Sequence, residues 1–388
     1  MDTAELPTPL AKARLLAGDI AAAGDEIERT RRIPKTLLDK LHEARLCRML
    51  LPRSVDGDEI DPGAYLLTIE EISRHDASVG WNLFVTNSAA LLAPHMPAET
   101  AQTIFGDPRA LVAWGPPDKH VAKAVEGGYR VSGRWSFASG CRNATWMGAH
   151  CRVQEPDGSL RKHPDGRSLV LSLLFPVAQA KLIDTWDTIG LRGTASDTYE
   201  LDDLFVPDAF TGTREHPDAS REPGSLYAFP QQAIYAVGVA GVALGIARAM
   251  LEAFKALATE KTPRGLSRLA ESTGVQAGVA KGEARIGSAR AYLLEVLREI
   301  AARAPRDRAI DVPDRGRVRL ATANAIQGSI ETADWLYKNA GVTAIFPGSP
   351  YERRFRDIHT LSQQIQSRDA HFEAVGSILL GNPPDIFY

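Results

Sequence analysis

Apolar residues recur at helical spacing, with charged residues between them, through the first quarter of the chain. This pattern is typical of amphipathic helices and covers residues 11–32 and 64–74. Pro34 stands where another helix can start, and Asp76 can cap a further one because its side-chain oxygen accepts from free backbone N–H groups. The pattern predicts a helical region over residues 1–108.

Between Leu111 and about Glu215 the period changes to two. Short β-branched and aromatic runs alternate with polar residues and are separated by turn sequences such as Asp157-Gly158. The runs predict five strands, over residues 121–125, 129–137, 146–153, 169–175 and 199–206. The middle region, residues 109–215, is therefore predicted to be a compact β-barrel or β-sandwich domain.

Helical patterns return in the last part of the chain. Residues 237–254 are almost uniformly apolar, and Gly238, Gly241 and Gly245 would let other helices approach that run closely. Long helical patterns follow over residues 272–303 and 317–340. We predict a C-terminal helical bundle over residues 216–388, and the fold class is α+β with mostly helix.

Composition narrows the class of protein. The chain has 388 residues, is 44% hydrophobic and 24% charged, and carries a formal net charge of −3, which is typical of a globular protein without a field that attracts nucleic acid. We find no apolar run long enough to cross a bilayer, and the N-terminus is acidic where a leader would be basic. We therefore expect a cytoplasmic protein with no nucleic-acid or membrane partner.

Several common kinds of site have no sequence signal. The three cysteines form no Cys-x-x-Cys pair, and the nine histidines give no ligand pattern with a partner carboxylate, so no metal site is predicted. No Gly-x-Gly-x-x-Gly follows a strand and no Walker loop occurs, so nicotinamide or nucleotide binding by this chain is not indicated.

The segment 127–140 is the strongest candidate for a site. It has the pattern of a β-hairpin, and period two predicts Trp135, Phe137 and Ser139 on one face of its second strand. Two aromatic rings to stack on and a hydroxyl aimed at a ring edge suit a flat, heteroatom-rich cofactor. Flavin has such a ring.

The segment also resembles the middle β-domain of the acyl-CoA dehydrogenase superfamily. Members share a Trp strand followed by Gly-Leu-Arg-Gly-Thr, here at 190–194, and by a strand ending in Val-Pro, here at 206–207. Residues 45–52 and 76–81 are similar to the family's N-terminal helical domain, and Arg-Arg-Phe-Arg-Asp-Ile-His at 353–359 is similar to its last helices. The resemblance implies helices, β-domain and helical bundle in that order, assembled as a homotetramer or homodimer.

One branch of that family oxidises acyl-CoA thioesters with bound FAD and a glutamate base, which is our alternative function. In those members the base commonly stands in a Tyr-Glu-Gly-Thr stretch, and Thr360 occupies its position here. Some members carry the glutamate on an earlier helix, for which Glu252, Glu271 and Glu283 are the candidates. Each of the three is better explained as a solvent-facing helical charge.

The other branch consists of two-component flavin-dependent monooxygenases that hydroxylate phenols, indoles or related rings. Their Trp-x-Phe-x-Ser-Gly and Arg-Asp-x-His segments are similar to residues 135–140 and 356–359. The resemblance implies that a separate NAD(P)H flavin reductase supplies reduced flavin (FADH2 or FMNH2), which reacts with O2 to give a flavin C4a-hydroperoxide. The leading hypothesis is therefore hydroxylation of an aromatic or indole-like small molecule.

The same resemblance implies roles for single residues. Ser139 would approach flavin N5, and His359 would face the substrate as hydrogen-bond donor or base, although it could equally cap or pack a helix. Cofactor-binding roles are implied for Trp135, Phe137, Ser139, Arg264, Gln276, Gly341, Ser362 and Gln364. Arg264 and Gln276 would reach the phosphate or adenosine end of the flavin across a subunit interface, since guanidinium pairs with phosphate in a two-pronged way.

This sequence departs from its phenol-hydroxylating relatives at two places, and both bear on the expected substrate. Phenol-hydroxylating relatives often have a histidine where Asn87-Ser88-Ala89 stands, and a second one a single turn after the Arg-Asp-x-His segment, where this chain has Ser362-Gln363-Gln364. A larger, more apolar aromatic substrate is then favoured over a simple phenol. The predicted substrate pocket is lined by Trp81, Phe84, Asn87 and Trp114, with Trp146 nearby.

Overall fold

A computed structural model describes residues 8–117, 119–164, 166–213, 220–304 and 308–382. Within these residues, six α-helices precede the strands and five α-helices follow them. The first six are α1 (Pro9–Leu15), α2 (Ala17–Thr30), α3 (Lys35–Glu43), α4 (Pro62–His75), α5 (Ala77–Ala90) and α6 (Ala98–Phe105). The last five are α7 (Gln231–Glu260), α8 (Thr273–Arg303), α9 (Val312–Ala340), α10 (Glu352–Ser362) and α11 (Ala370–Leu379).

Local sequence explains where the first helices begin and end. The Asp76 carboxylate accepts from the backbone N–H of Val79 at 3.0 Å, so the predicted cap of α5 is confirmed. The single helix predicted over 11–32 is two helices, α1 and α2, separated at Leu16. Helix α2 ends because Arg31 adopts a left-handed conformation with φ 55°.

The described strands form one mixed eight-stranded sheet. They are β1 (Val112–Trp114), β2 (Val121–Val125), β3 (Gly128–Ala138), β4 (Trp146–Gln154), β5 (Val170–Pro176), β6 (Lys181–Ile183), β7 (Asp197–Pro207) and β8 (Thr211–Gly212). The order is β6-β7-β3-β2-β4-β5-β8, and β1 pairs with β4. All five predicted strands are confirmed, whereas the short strands β1, β6 and β8 were not predicted because two or three residues carry no periodicity.

The helices before and after the sheet share one hydrophobic core, whose members run from Ala13 to Leu361. Helix α7 lies at its centre. A Cβ on Gly238 would lie 2.7 Å from the Phe84 side chain, and one on Gly245 would lie 2.5 Å from the Glu70 carbonyl oxygen. The predicted close approach of other helices to this glycine-bearing run is thus confirmed.

Helix α7 corrects the expectation that no apolar run in this chain is long enough to cross a bilayer. It has 30 residues and contains an 18-residue window with mean hydropathy 1.8, so by length and composition it could cross a membrane. In this fold 83% of that window is buried inside the protein. The apolar character of α7 is therefore that of a core helix, which passes the same test of length and hydropathy as a membrane span.

Candidate functional site

A β-bulge near the end of β3 decides which side chains reach the surface. The pairing of β3 with β7 shifts register between Trp135 and Ala138, and Phe137 takes a left-handed backbone with φ 62°. Such a conformation costs energy for a residue with a Cβ and is concentrated at functional sites. The bulge leaves Phe137 61% exposed, so its ring is available to stack on a ligand.

Trp135 points the other way, so the prediction that Trp135 and Phe137 share one face is wrong. Its indole is 1% exposed, stacks on Tyr199 with ring centroids 5.3 Å apart, and donates to the carbonyl oxygen of His150 at 3.3 Å. The extra residue at the bulge breaks the period-two alternation on which the prediction relied. Trp135 is a core residue of the sheet and presents no surface to a cofactor.

Ser139, just after β3, begins a chain of hydroxyl groups. The Trp81 indole donates to Ser139 Oγ at 3.1 Å, Ser139 Oγ lies 2.7 Å from Ser196 Oγ, and Ser196 Oγ lies 2.7 Å from Thr194 Oγ1. We call Ser139, Ser196 and Thr194 the hydroxyl chain. Sequence reasoning missed Ser196, although its place two residues after the Gly-Leu-Arg-Gly-Thr sequence was a usable signal.

Ser139 also lines a pocket between the first helices and the start of the sheet. The pocket is a partly open cleft of about 360 Å³, a volume that includes space open to solvent. Its lining is mostly apolar, and none of the described residues that line it is charged: Ile33, Leu38, Cys47, Asn82, Leu83, Thr86, Leu111, Val112, Ser139, Gly140, Asn143 and Ala144. An uncharged, largely apolar pocket with a few hydroxyl and amide groups suits an aromatic ring with polar substituents.

Helix α5 supplies part of this lining, but through a different face from the one predicted. Phe84 and Asn87 are fully buried, and Asn82, Leu83 and Thr86 line the pocket in their place. Asn87 donates to the carbonyl oxygens of Leu46 and Leu83 at 2.9 and 2.8 Å, which makes it a structural link. Because α5 is buried all round, its sequence carries no polar face from which the pocket side could be chosen.

The two tryptophans predicted to line the pocket, Trp81 and Trp114, differ in their contacts with it. Trp114 is 5% exposed, lies in a core cluster between the N-terminal helices and the sheet, and its ring centroid is 5.1 Å from that of His150. Its assignment to the pocket lining is wrong because β1 turns the indole into that core. Trp81 contacts the site through its hydrogen bond to Ser139, although the pocket surface itself is formed by its neighbours.

Two sequence motifs that are far apart in the chain meet behind the pocket. The backbone N–H of Leu191, in the Gly-Leu-Arg-Gly-Thr turn, donates to Asp357 Oδ1 of the Arg-Asp-x-His segment at 2.6 Å. A Cβ on Gly190 would lie 2.2 Å from the Arg356 carbonyl oxygen, which is why the turn needs glycine there. Asp357 was quoted in the motif but given no role, and the structure shows that it joins the turn to α10.

The Asp357 carboxyl is buried beside other acids. Burial, with smaller contributions from the nearby acids Asp76 and Glu28, raises its pKa to about 7, against the opposing effects of the Leu191 N–H and the Arg356 charge. Burial likewise raises the pKa of Asp76 to about 6. Since the folded state then binds more protons than the unfolded state between about pH 4 and 7, these groups lower the free energy of unfolding as pH rises through that window.

We expect Asp357→Asn to flatten this pH dependence. Asparagine keeps the acceptor for Leu191 N–H but carries no charge, so stability at pH 8 should rise, by up to about 4 kcal/mol. Thermal unfolding between pH 4 and 8 measures the effect. The control is Asp187→Asn, an exposed acid paired with Arg192 at 3.0 Å. Equal slopes in wild type and Asp357→Asn would contradict the assignment.

His359 lies on the face of α10 that meets α9. Its Nε2 is 2.9 Å from Asp334 Oδ1, at ion-pair distance, and its ring centroid is 4.2 Å from that of Phe355. The side chain is 33% exposed. His359 does not line the pocket beside Ser139, so the structure does not bring these two predicted catalytic residues into contact, and the role of His359 stays a prediction.

The predicted phosphate-binding residues lie at another end of the helical region. Lys261 follows α7, and its Nζ donates to the Ala340 carbonyl oxygen at 2.6 Å and to Thr343 Oγ1 at 2.7 Å. These bonds bring the turn that carries exposed Arg264 next to Gly341, which has φ 59°. Lys261 is thus a cation beside Gly341 that sequence reasoning missed, and Arg264 follows it three residues later in the chain.

The remaining predicted cofactor residues make local contacts. Gln276 is exposed and donates to the Ala270 carbonyl oxygen at 2.8 Å. Ser362 is the last residue of α10 and donates to the His359 carbonyl oxygen at 2.7 Å, whereas Gln364 lies beyond the helix and accepts from Gln366 N–H at 2.6 Å. Ser362 and Gln364 do not share one face of a helix, because α10 ends between them.

The three glutamates that could serve an acyl-CoA dehydrogenase as base are all in ion pairs. Glu252 pairs with Arg74 at 2.7 Å, and Glu271 pairs with Arg268 at 3.1 Å. Glu283 accepts from Lys255 and Arg248, which lower its pKa. None of the three lines the pocket beside Ser139. Their contacts agree with the interpretation of all three as helical charges.

Helices, one sheet and further helices follow each other in this order along the chain, and the two motifs meet. Together these features define a class of flavoprotein fold. The acyl-CoA dehydrogenase N-terminal domain family matches residues 11–102, and the acyl-CoA dehydrogenase C-terminal domain family matches residues 237–368. The two matches together cover more than half of the chain. The chain belongs to the acyl-CoA dehydrogenase family, as its motifs predicted.

Its relatives within that family are oxygenases. The chain is 29% identical over 361 residues to the indole-3-acetate monooxygenase of Pseudomonas putida, covering 92% of this chain and 90% of that protein. It is 27% identical over 395 residues to the oxygenase component of an FADH2-dependent resorcinol hydroxylase of Rhizobium sp., covering 95% of each. XiaF from Streptomyces sp., solved with FADH2 and glycerol, has the same fold with a TM-score of 0.88, 23% identity and coverage of 98% and 96%.

Proposed function

We propose that this protein is the oxygenase component of a two-component flavin-dependent monooxygenase that hydroxylates an aromatic or indole-like small molecule. The observation that carries the proposal is the pocket beside Ser139. Its described lining is uncharged, whereas oxidation of an acyl-CoA needs a carboxylate base within reach of a carbon acid. The curated relatives named above act on an indole and on a resorcinol.

The residues around Ser139 fit a flavin ring. Phe137 offers an exposed aromatic face on a conformationally strained bulge, and two residues later Ser139 offers a hydroxyl that can both donate and accept. Arg264 and Lys261 supply cationic groups that suit the phosphates of the cofactor. We infer FADH2 as the flavin, supported by the FADH2-dependent relative, and a separate NAD(P)H flavin reductase as its source.

When bound, reduced flavin supplies the two electrons that let O2 place one oxygen atom in the substrate and release the other as water. The protein itself binds the flavin and the substrate and orients them. The apolar lining keeps water from the reacting ring, and the Asn82, Thr86 and Asn143 side chains are placed to orient polar substituents of the substrate. Ser139 holds the edge of the flavin, and His359 is the candidate for proton transfer.

We further propose a homo-oligomer, with a homotetramer as the expected assembly, in the cytoplasm. Large apolar side chains are exposed near the Arg264 turn: Leu266, Val342, Ile345 and Phe346. Exposed apolar clusters of this kind are typical of protein interfaces, and a second copy of this chain is the proposed partner. Such an interface would place Arg264 beside the flavin of a neighbouring subunit.

The test uses FADH2 reduced without any reductase, mixed with O2 and indole-3-acetate, and detects a product heavier by one oxygen atom. A parallel reaction offers butyryl-CoA to the enzyme with oxidised FAD. We expect oxygenation in the first reaction and no flavin reduction in the second. Bleaching of FAD by butyryl-CoA without any oxygenation would instead establish the dehydrogenase alternative.

We expect Ser139→Ala to separate oxygen consumption from product formation. Without the hydroxyl, more of the oxygen should leave as H2O2, while flavin affinity should change by only about tenfold or less because one neutral hydrogen bond contributes about 1 kcal/mol. The measurement is product formed per O2 consumed. Ser172→Ala, at a buried serine of β5 that contacts His150, is the matched control. An unchanged ratio in Ser139→Ala would remove Ser139 from the reaction.

A further inference from the structure

The hydroxyl chain lies directly behind the pocket wall. Of its three members only Ser139 lines the pocket, while Ser196 and Thr194 lie behind it and are 5% and 0% exposed. The chain ends where Thr194 Oγ1 reaches the Leu191 carbonyl oxygen at 2.8 Å. At its other end, the Trp81 indole N–H donates to Ser139 at 3.1 Å. Each hydroxyl carries one hydrogen and can rotate it. The hydrogen bonds along the hydroxyl chain can therefore run in either direction, from Ser139 to Thr194 or from Thr194 to Ser139.

Both directions leave the internal groups satisfied. If Thr194 donates to Leu191, then Ser196 donates to Thr194 and Ser139 donates to Ser196, so that Ser139 presents only a lone pair to the pocket. The Leu191 carbonyl oxygen also accepts from Thr194 N–H at 3.1 Å and from the Trp186 indole at 2.9 Å, so it does not need the hydroxyl. In the reverse direction Thr194 donates to Ser196, Ser196 donates to Ser139, and the Ser139 hydrogen is free for the pocket.

We propose that Ser196 and Thr194 are positioning residues that let Ser139 change between acceptor and donor, and that this reversal lets one site hold flavin in both redox states. The inference rests on the proposed function, in which the edge of the flavin ring faces Ser139. Ring nitrogen N5 of reduced flavin carries a hydrogen and must donate, whereas N5 of oxidised flavin has only a lone pair and must accept. A hydroxyl of fixed direction would suit one of these two states and oppose the other.

Removing one hydroxyl from the hydroxyl chain fixes the direction of the hydrogen bonds that remain. In Ser196→Ala the Ser139 hydrogen has no internal acceptor, so it must point into the pocket. In Thr194→Val the Ser196 hydrogen has only Ser139 left to accept it, so the Ser139 hydrogen again points into the pocket. Both variants make Ser139 a permanent donor. Reduced flavin should then bind more weakly, because two hydrogens face each other, while oxidised flavin should bind at least as well as in wild type.

The experiment is an anaerobic titration of the full chain with oxidised FAD and, separately, with dithionite-reduced FAD. We expect Ser196→Ala and Thr194→Val each to raise the ratio of the reduced to the oxidised dissociation constant by about tenfold or more, as expected for one hydrogen bond lost and one buried group left unpaired. Thr194→Ser retains the hydroxyl and should keep the wild-type ratio. The titration measures binding alone and needs no substrate or oxygen.

Two results would overturn the proposal. One is a wild-type ratio in both Ser196→Ala and Thr194→Val. The other is a change in Ser196→Ala that persists when Ser139 is already alanine, since the effect must act through the Ser139 hydroxyl. Agreement between the two variants, which alter different positions, excludes local misfolding as the cause, and thermal unfolding checks this directly. A wild-type chain that binds neither form of flavin contradicts the proposed function itself.

Discussion

Replacing His359 with alanine is expected to lower the rate of aromatic hydroxylation by about 10²- to 10⁴-fold, the range in which a positioned acid or base contributes. The structure places this imidazole against a carboxylate and an aromatic ring. Asp334 Oδ1 lies 2.9 Å from Nε2, and the Phe355 ring, one turn earlier on the same face of α10, packs on the imidazole with a centroid distance of 4.2 Å. An imidazole with a carboxylate at ion-pair distance can gain or release a proton near neutral pH, which suits proton transfer or hydrogen bonding.

The measurement is a single turnover of enzyme loaded with reduced flavin and substrate before O2 is added. Flavin affinity and thermal unfolding of His359→Ala should stay close to wild type, since the side chain is partly exposed and lies outside the pocket lining. Asp334→Asn is the matched variant. It should lower the rate less than His359→Ala, because the imidazole remains but its orientation is less restricted.

A hydroxylation rate in His359→Ala within about threefold of wild type, which corresponds to roughly 0.6 kcal/mol, would contradict the catalytic role. His359 would then be a packing residue that, with Phe355 of the same helix, joins α10 to Asp334 of α9. A companion variant addresses the dehydrogenase alternative. Thr360→Glu should not confer oxidation of butyryl-CoA, because the Thr360 hydroxyl donates to the Arg356 carbonyl oxygen of its own helix at 2.9 Å and Thr360 is not among the residues that line the pocket beside Ser139.

Replacing Arg264 with alanine is expected to raise the flavin dissociation constant by about ten- to a hundredfold, since a charge-assisted hydrogen bond contributes roughly 1.5–3 kcal/mol. Arg264 is exposed on a turn that Lys261 ties to the end of α9. If a neighbouring subunit contributes this guanidinium, flavin affinity should also depend on protein concentration, because dilution separates the subunits before flavin is lost.

Arg268→Ala is the control for charge, because Arg268 is also exposed on this turn but pairs with Glu271 at 3.1 Å. It should bind flavin nearly as well as wild type. Fluorescence titration at two protein concentrations, with sedimentation to follow assembly, separates the two effects. Wild-type affinity in Arg264→Ala would show that another cation holds the phosphate, with Lys261 the next variant to examine.

The architecture could be predicted because it depends on short-range patterns and on motifs that are contiguous in the chain. Helical periodicity located most of the long helices, alternation located the five longer strands, and the Asp76 cap is a local hydrogen bond. The family could be identified for the same reason: the Gly-Leu-Arg-Gly-Thr and Arg-Asp-x-His segments are local sequences. The chemistry of oxygenases, with Ser139 at a strand end, followed from that resemblance.

What the tertiary structure alone decided is which way side chains point and which distant groups meet. The bulge in β3 turned Trp135 into the core and Phe137 to the surface, a choice that depends on pairing with β7. Helix α5 is apolar all round, so only its packing selects Asn82 and Thr86 for the pocket over Phe84 and Asn87. The hydroxyl chain and the Asp357 contact join residues that are far apart in the chain, and such pairs leave no periodic trace in a single sequence.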